Sequence, residues 1–215
     1  MIDHLPALVT VVGTAVLVWA EFAERLPVKI VSKTAAAFGF ILWALMLGAL
    51  QAGAGGRWVV VGLVLSMVGD LCLLSRARHF FLGGLVAFLL AHVAYVAAFW
   101  SIGLSAVAVG VVGIPLGVFA WRVWRWLAPH VGTLGPAVVA YIAVITTMVA
   151  ASIGAWHHAP DGVRVGLVAA AVLFFLSDLC VARDRFVAPG PNNRLIGLPL
   201  YFGAQLVFAW FGAQL

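Results

Sequence analysis

The sequence predicts an all-α, polytopic membrane helix bundle of eight transmembrane helices, with both termini outside and a candidate parallel 4+4 repeat. Three observations predict it. The 215 residues are 65% hydrophobic and 9% charged, with a mean hydropathy of +1.16. One soluble core of that length cannot hide so much apolar surface. The apolar residues also fall in continuous runs close to the ~20 residues of a spanning helix, not in the alternating segments of a membrane barrel. Finally, the cations gather in every second gap between runs.

The elements follow in order: 5–21, 34–51, 58–75, 80–100, 102–121, 134–155, 163–182 and 195–214. The first begins after Met1-Ile2-Asp3-His4, which has no lysine or arginine and so does not read as the start of a cleaved signal. The second follows Lys29 and Lys33. The third carries Asp70, and the fourth carries His92 and Tyr95. The fifth follows a very short gap and holds Pro115 and Gly113-x-x-x-Gly117. The sixth holds Tyr141. The seventh opens on Gly162-x-x-x-Gly166 and carries Asp178, and the eighth holds Pro199, Tyr201 and Gln205. The spaced glycines permit close helix approach, and the interior prolines predict kinks. Trp19, Trp58, Trp100, Trp121, Trp124, Trp126 and Trp156 fall near run ends, as an interfacial belt does. These runs leave no room for a soluble domain, so residues 1–215 read as a single integral membrane domain.

Charge orients the bundle. Of the 12 lysines and arginines, Arg25, Lys29, Lys33, Arg76, Arg78, Arg122, Arg125, Arg183, Arg185 and Arg194 flank the odd-numbered connections. Only Arg57 and Arg164 fall on the other side. The positive-inside rule puts the odd connections in the cytoplasm and the termini outside. The net charge of +5 is then a topology signal and calls for no nucleic acid; its partners are membrane lipids. The Ala/Val/Gly/Arg-rich composition points to a bacterial plasma membrane. Cys72 and Cys180 lie near the cytoplasmic face and are expected as free thiols, each about 200° around its helix from the neighbouring aspartate.

The chemistry gathers on two near-repeats, Leu65-Ser66-Met67-Val68-Gly69-Asp70-Leu71-Cys72 and Leu173-Phe174-Phe175-Leu176-Ser177-Asp178-Leu179-Cys180. A mid-helix aspartate costs about 2.5–3.5 kcal/mol on insertion scales, so such residues mark sites or pairings. Counting helical rise from the flanking cations puts Asp70 and Asp178 at one depth, one to two turns below the cytoplasmic face. Tyr141, Tyr201 and Lys33 fall near that level. His92 is deeper with Tyr95 one turn beyond it, and Gln205 is one turn beyond Tyr201. A cavity open to the cytoplasm and narrowing toward His92 is the simplest host. Simpler readings stand beside it: an aspartate can tether Lys33, His92 can be a packing histidine, and Tyr141, Tyr201 and Gln205 can join helices. Glu21 is expected to pair with Arg25, and His157-His158 to lie in a solvated turn. No HExxH motif occurs, and a zinc site would need His92 and both aspartates from different depths. No Gly-x-Ser-x-Gly turn occurs either. Neither a metal nor an organic cofactor is expected.

Gly69-Asp70, Phe80-x-x-Gly83-x-x-x-x-Phe88-x-x-x-His92-x-x-Tyr95, Ser177-Asp178 and Tyr201-x-x-x-Gln205 together resemble the YhhN-type lysoplasmalogenase family, from about Lys33 to the C-terminus. The family start of the second helix is often Lys-Pro, where this chain has Lys33-Thr34. The resemblance implies a multi-pass hydrolase that cleaves the vinyl ether bond of lysoplasmalogens. The products would be a fatty aldehyde and glycerophosphoethanolamine or glycerophosphocholine.

Vinyl ethers hydrolyse by protonation of the alkene carbon remote from oxygen, followed by capture of the oxocarbenium ion by water. A carboxylate pair suits such a cation, as in glycoside hydrolysis. Asp70 is expected as the acid and Asp178 as ion stabiliser and water base, in an exchangeable assignment. His92, Tyr95, Tyr141, Tyr201 and Gln205 are candidates to orient substrate or water. Lys33, with Arg194 or Asn192 in the adjoining loop, is expected to hold the phosphate, and the apolar deep end to take the alkenyl chain. The second reading is a proton-coupled transporter using the same aspartates, and the third a non-catalytic membrane scaffold.

Overall fold

The computed structural model describes residues 2–75 and 77–215; Met1 of the leader and Arg76 among the odd-side cations lie outside them. The described residues are helical, without strands. After a 3-10 turn at Ile2–His4 come α1 (Leu5–Phe22), α2 (Leu26–Met46), a short α3 (Ala49–Ala52), α4 (Ala54–Cys72) and α5 (Arg78–Ile102). Then follow α6 (Ala106–Val131), α7 (Gly135–Gly154), α8 (Arg164–Ala182) and α9 (Pro191–Gly212), with a π-helical turn at Arg183–Val187. Seven stretches are long and apolar enough to cross a membrane. One of them, Ala106–Gly154, is 49 residues long, about twice the hydrocarbon thickness at helical rise. It folds back at the 3-10 turn Gly132–Leu134: the Ser105 N–H at the start of α6 donates to the Gly154 carbonyl at the end of α7, at 2.9 Å.

Three predicted boundaries move, each for a chemical reason. The second run was expected from residue 34, yet α2 begins at Leu26 with Pro27 in its first turn, where a missing N–H costs nothing. Lys29 and Lys33 therefore lie on the helix, tolerated because both reach into a cavity. The fifth run was expected to end at 121, but α6 continues through Arg122 and Arg125 to Val131, and the Arg125 guanidinium lies 5.4 Å from the Trp121 ring. The eighth was expected from 195. Instead α9 starts at Pro191, so Asn192 and Arg194 occupy its first turn rather than a loop.

Both termini lie at one end of the bundle. The His4 ring packs 5.9 Å from Trp43 and from Trp210, and Gly53 abuts the Leu215 carbonyl. At the other end Arg78 Nη2 donates to Thr133 Oγ1 at 3.1 Å.

Two hairpins hold the centre. On α4, a Cβ at Gly62 would fall 2.5–2.9 Å from the Tyr95 ring, and one at Gly69 2.6–2.9 Å from Phe88. Only glycine lets α5 lay these aromatics against the α4 backbone. The α8–α9 hairpin repeats the device, with Gly166 against the Phe211 ring and Gly197 against Cys180. The halves then cross-pack, α2 on α9 and α5 on α7. Between them Phe40, Phe88, Phe174 and Tyr201 form an edge-on aromatic cluster with ring centroids 5.4–6.5 Å apart, a geometry favoured by the ring quadrupoles.

Candidate active site

Below that cluster, toward the end holding Thr133, opens a cavity of about 510 Å³. Its walls differ. From α1, α2 and α9 come Glu21, Lys29, Lys33, Asn193 and Arg194, while α6 and α7 contribute Val123, Leu127, Val138, Ile142 and Ile145. Asp70, Asp178, Tyr141 and Tyr201 line it as well. Polar and apolar linings thus lie on opposite sides, so the apolar side takes the place of the expected apolar deep end.

Each aspartate has its own retinue. Asp70, 3% exposed, has Lys33 Nζ at 3.1 Å from Oδ1 and accepts from the Tyr201 hydroxyl at 2.6 Å on Oδ2. Asp178 accepts from the Tyr141 hydroxyl at 2.7 Å on Oδ2, and His92 Nε2 lies 3.4 Å from the same oxygen. Asp70 is a charge-paired carboxylate, the state Lys33 favours. The second site is built for one extra proton. His92 Nδ1 is 2.6 Å from the Phe88 carbonyl, which can only accept, so Nδ1 carries a hydrogen. Nε2 of a neutral ring is then a lone pair aimed at Asp178 Oδ2, and it has no hydrogen-bond partner among the described residues. A proton between the two relieves that contact. His92 itself is fully buried and stands behind Asp178.

The two sets of partners correspond. Asp70 on α4 draws Lys33 from α2 of its own half and Tyr201 from α9, the last helix of the other. Asp178 on α8 draws Tyr141 from α7 of its own half and His92 from α5, the last long helix of the other.

Several expected residues stand elsewhere. Tyr95 and Gln205 bond each other, hydroxyl to Oε1 at 2.7 Å, away from the cavity lining. Tyr95 also stacks on Phe208 at 4.0 Å. Asn192 is exposed and outside the lining. Its neighbour Asn193 is the buried member, accepting from Arg183 and donating to Asp184 and the Ala188 carbonyl. Glu21 pairs with Lys29 at 2.9 Å and with Arg194, not with Arg25. Cys180 was expected to face away, but it lines the cavity; both cysteines are free thiols. The spacing of Glu21 and Lys29 across the α1–α2 turn was a signal that nearest-neighbour pairing with Arg25 obscured.

A family model described as the YhhN family matches residues 28–211. Lysoplasmalogenase TMEM86A of Bos taurus is 28% identical over 184 residues, covering 79% of this chain and 72% of that protein. Lysoplasmalogenase TMEM86A of Homo sapiens is 30% identical over 178 residues, with the same coverage of 79% and 72%. A lysoplasmalogenase of Mycobacterium bovis is 29% identical over 158 residues, covering 70% of this chain and 57% of that protein. No solved structure matches. With seven apolar stretches of spanning length and these relatives, the chain is an integral multi-pass membrane protein.

Proposed function

The chain belongs to the YhhN family, and on that premise we propose that it is a lysoplasmalogenase-type ether hydrolase, converting a lysoplasmalogen and water to a fatty aldehyde and a glycerophospho-alcohol. The observation that carries the reading is a pair of aspartates on one cavity wall with unlike partners, one held by a cation and one facing a histidine.

We assign the exchangeable roles in the order these partners favour. Asp178 delivers its proton to the alkene carbon remote from oxygen. The oxocarbenium ion that forms is stabilised by the Asp70 carboxylate, which Lys33 and Tyr201 hold in place. Water adds to the cation and returns a proton to Asp178. In the collapse of the hemiacetal, Asp178 protonates the departing glycerol oxygen and recovers a proton from the hemiacetal hydroxyl. One water is consumed and the acid is regenerated. Tyr141 orients Asp178, and His92 behind it receives or returns the proton between steps. The apolar wall of α6 and α7 takes the alkenyl chain, and the polar wall takes the headgroup.

The reading extends to topology. The α6–α7 fold-back supports eight crossings, and the cation-rich cavity end supports a cytoplasmic mouth, with both termini outside a bacterial plasma membrane. The matched partner pattern supports a parallel 4+4 repeat.

The test is aldehyde release from purified protein in lipid nanodiscs given a lysoplasmalogen. Asp178→Asn is expected to cut turnover by about 10²–10⁴, the span of general acid catalysis. Full turnover in a folded Asp178→Asn variant rules the mechanism out.

A further inference from the structure

At the cavity mouth a set of charges remains that the reaction does not use. Glu21 Oε2 accepts from Lys29 Nζ at 2.9 Å and from Arg194 Nη1, so one carboxylate oxygen holds two cations from two other helices. All three side chains line the cavity, and Glu21 and Lys29 are only 15% and 16% exposed. Arg194 is anchored from behind: its Nη2 reaches Asp184 Oδ2 at 3.3 Å, while Asp184 Oδ1 is occupied by the Gly190 N–H and Asn193. Lys29 lies one turn up α2 from Lys33, a rise of ~6 Å. A lysophospholipid carries its phosphate four bonds from the ether oxygen, the same order of separation.

We infer that Glu21 occupies the place of the substrate's phosphate and, once displaced, reads the positive nitrogen of the headgroup. The inference rests on the hydrolase reading for its substrate. An incoming phosphate takes Lys29 and Arg194, which Asp184 keeps in position. Glu21 then stands in a largely enclosed mouth without its cations, an arrangement that is costly for a carboxylate. An ammonium or quaternary nitrogen beyond the phosphate compensates it; a headgroup that ends at phosphate leaves it stranded. Selection is thus exerted against the wrong lipid as much as toward the right one. The site selects zwitterionic lysolipids.

The experiment measures binding, not turnover. Saturated 1-O-alkyl lysophosphoethanolamine and 1-O-alkyl glycerophosphate of equal chain length are titrated against the full chain in nanodiscs. Neither has a vinyl bond. Wild type is expected to prefer the ethanolamine lipid by about tenfold, equal to about 1.4 kcal/mol. Glu21→Gln removes the preference, chiefly by binding the bare phosphate more tightly. Lys29→Gln weakens both lipids and keeps their ratio. Equal binding of the two lipids by wild type overturns the inference without any variant, and so does a folded Glu21→Gln that keeps the preference. If the preference holds while no aldehyde is released from a vinyl-ether lipid, the hydrolase reading alone has failed.

Discussion

Lys33→Met tests the division of labour between the aspartates. Lys33 and Asp70 are 12% and 4% exposed and 3.1 Å apart, so solvent screens their pairing little. Removing one partner of a buried pair leaves the other uncompensated, at about 3–5 kcal/mol. The variant can respond in two ways. If Asp70 stays ionised, the fold bears that penalty. If Asp70 takes a proton, stability is spared but the anion facing the oxocarbenium ion is gone. Losing one preorganised electrostatic contact costs about 10²–10³ in kcat. Either way the protein loses stability or turnover, and Lys33→Met/Asp70→Asn is expected to recover the stability while turnover remains low. Thermal unfolding and steady-state aldehyde release in nanodiscs, run on both variants, separate the cases. A Lys33→Met protein with wild-type stability and kcat and only a raised KM refutes the argument. That pattern would make Lys33 a phosphate ligand.

Tyr141→Phe removes the 2.7 Å bond to Asp178; a hydrogen bond to a charged group is worth about 1.5–3 kcal/mol, so kcat is expected to fall by roughly 10- to 100-fold, read by the same assay. Tyr95→Phe strips the partner from Gln205 Oε1 in a fully buried position. It should lower stability by about 1–3 kcal/mol and leave kcat unchanged, whereas a large kcat effect would bring Tyr95 into the chemistry. Gly69→Ala drives a methyl into the Phe88 ring and is expected to cost about 1–3 kcal/mol of overpacking, with a loss of turnover because Asp70 is the next residue. Turnover should decline toward alkaline pH as the proton on Asp178 is lost; a flat alkaline limb counts against acid catalysis.

Much of this site was legible because a carboxylate in apolar sequence stands out: Asp70 and Asp178 declared themselves, and with them a shared depth. Helical counting also brought Tyr141 and Tyr201 to the right level, and both reach an aspartate. What counting could not supply was azimuth. Tyr95 is one turn from His92 and Gln205 one turn from Tyr201, yet these two turn toward each other and leave the cavity. Asn192 and Asn193 differ by one position, and only the second faces inward. Helix starts were hidden for another reason. An apolar run ends at a lysine, whereas a helix does not if the lysine has a polar cavity to enter, as Lys29 and Lys33 do.

The exchange of partners between halves bears on how the protein is made. When α1 to α5 have entered the bilayer, Asp70 has Lys33 but not Tyr201, and His92 faces no acid. As α7 and α8 follow, Asp178 gains Tyr141 and meets His92. Synthesis of α9, after the other helices, brings Tyr201, Gln205 and Arg194 together. That helix satisfies Asp70, Tyr95 and Glu21 in one step. Until it docks, the nascent chain exposes unmatched polar groups to lipid, the kind of lesion that membrane quality control can detect. Docking of a single helix therefore marks both completion of the catalytic pair and the chain's release from surveillance.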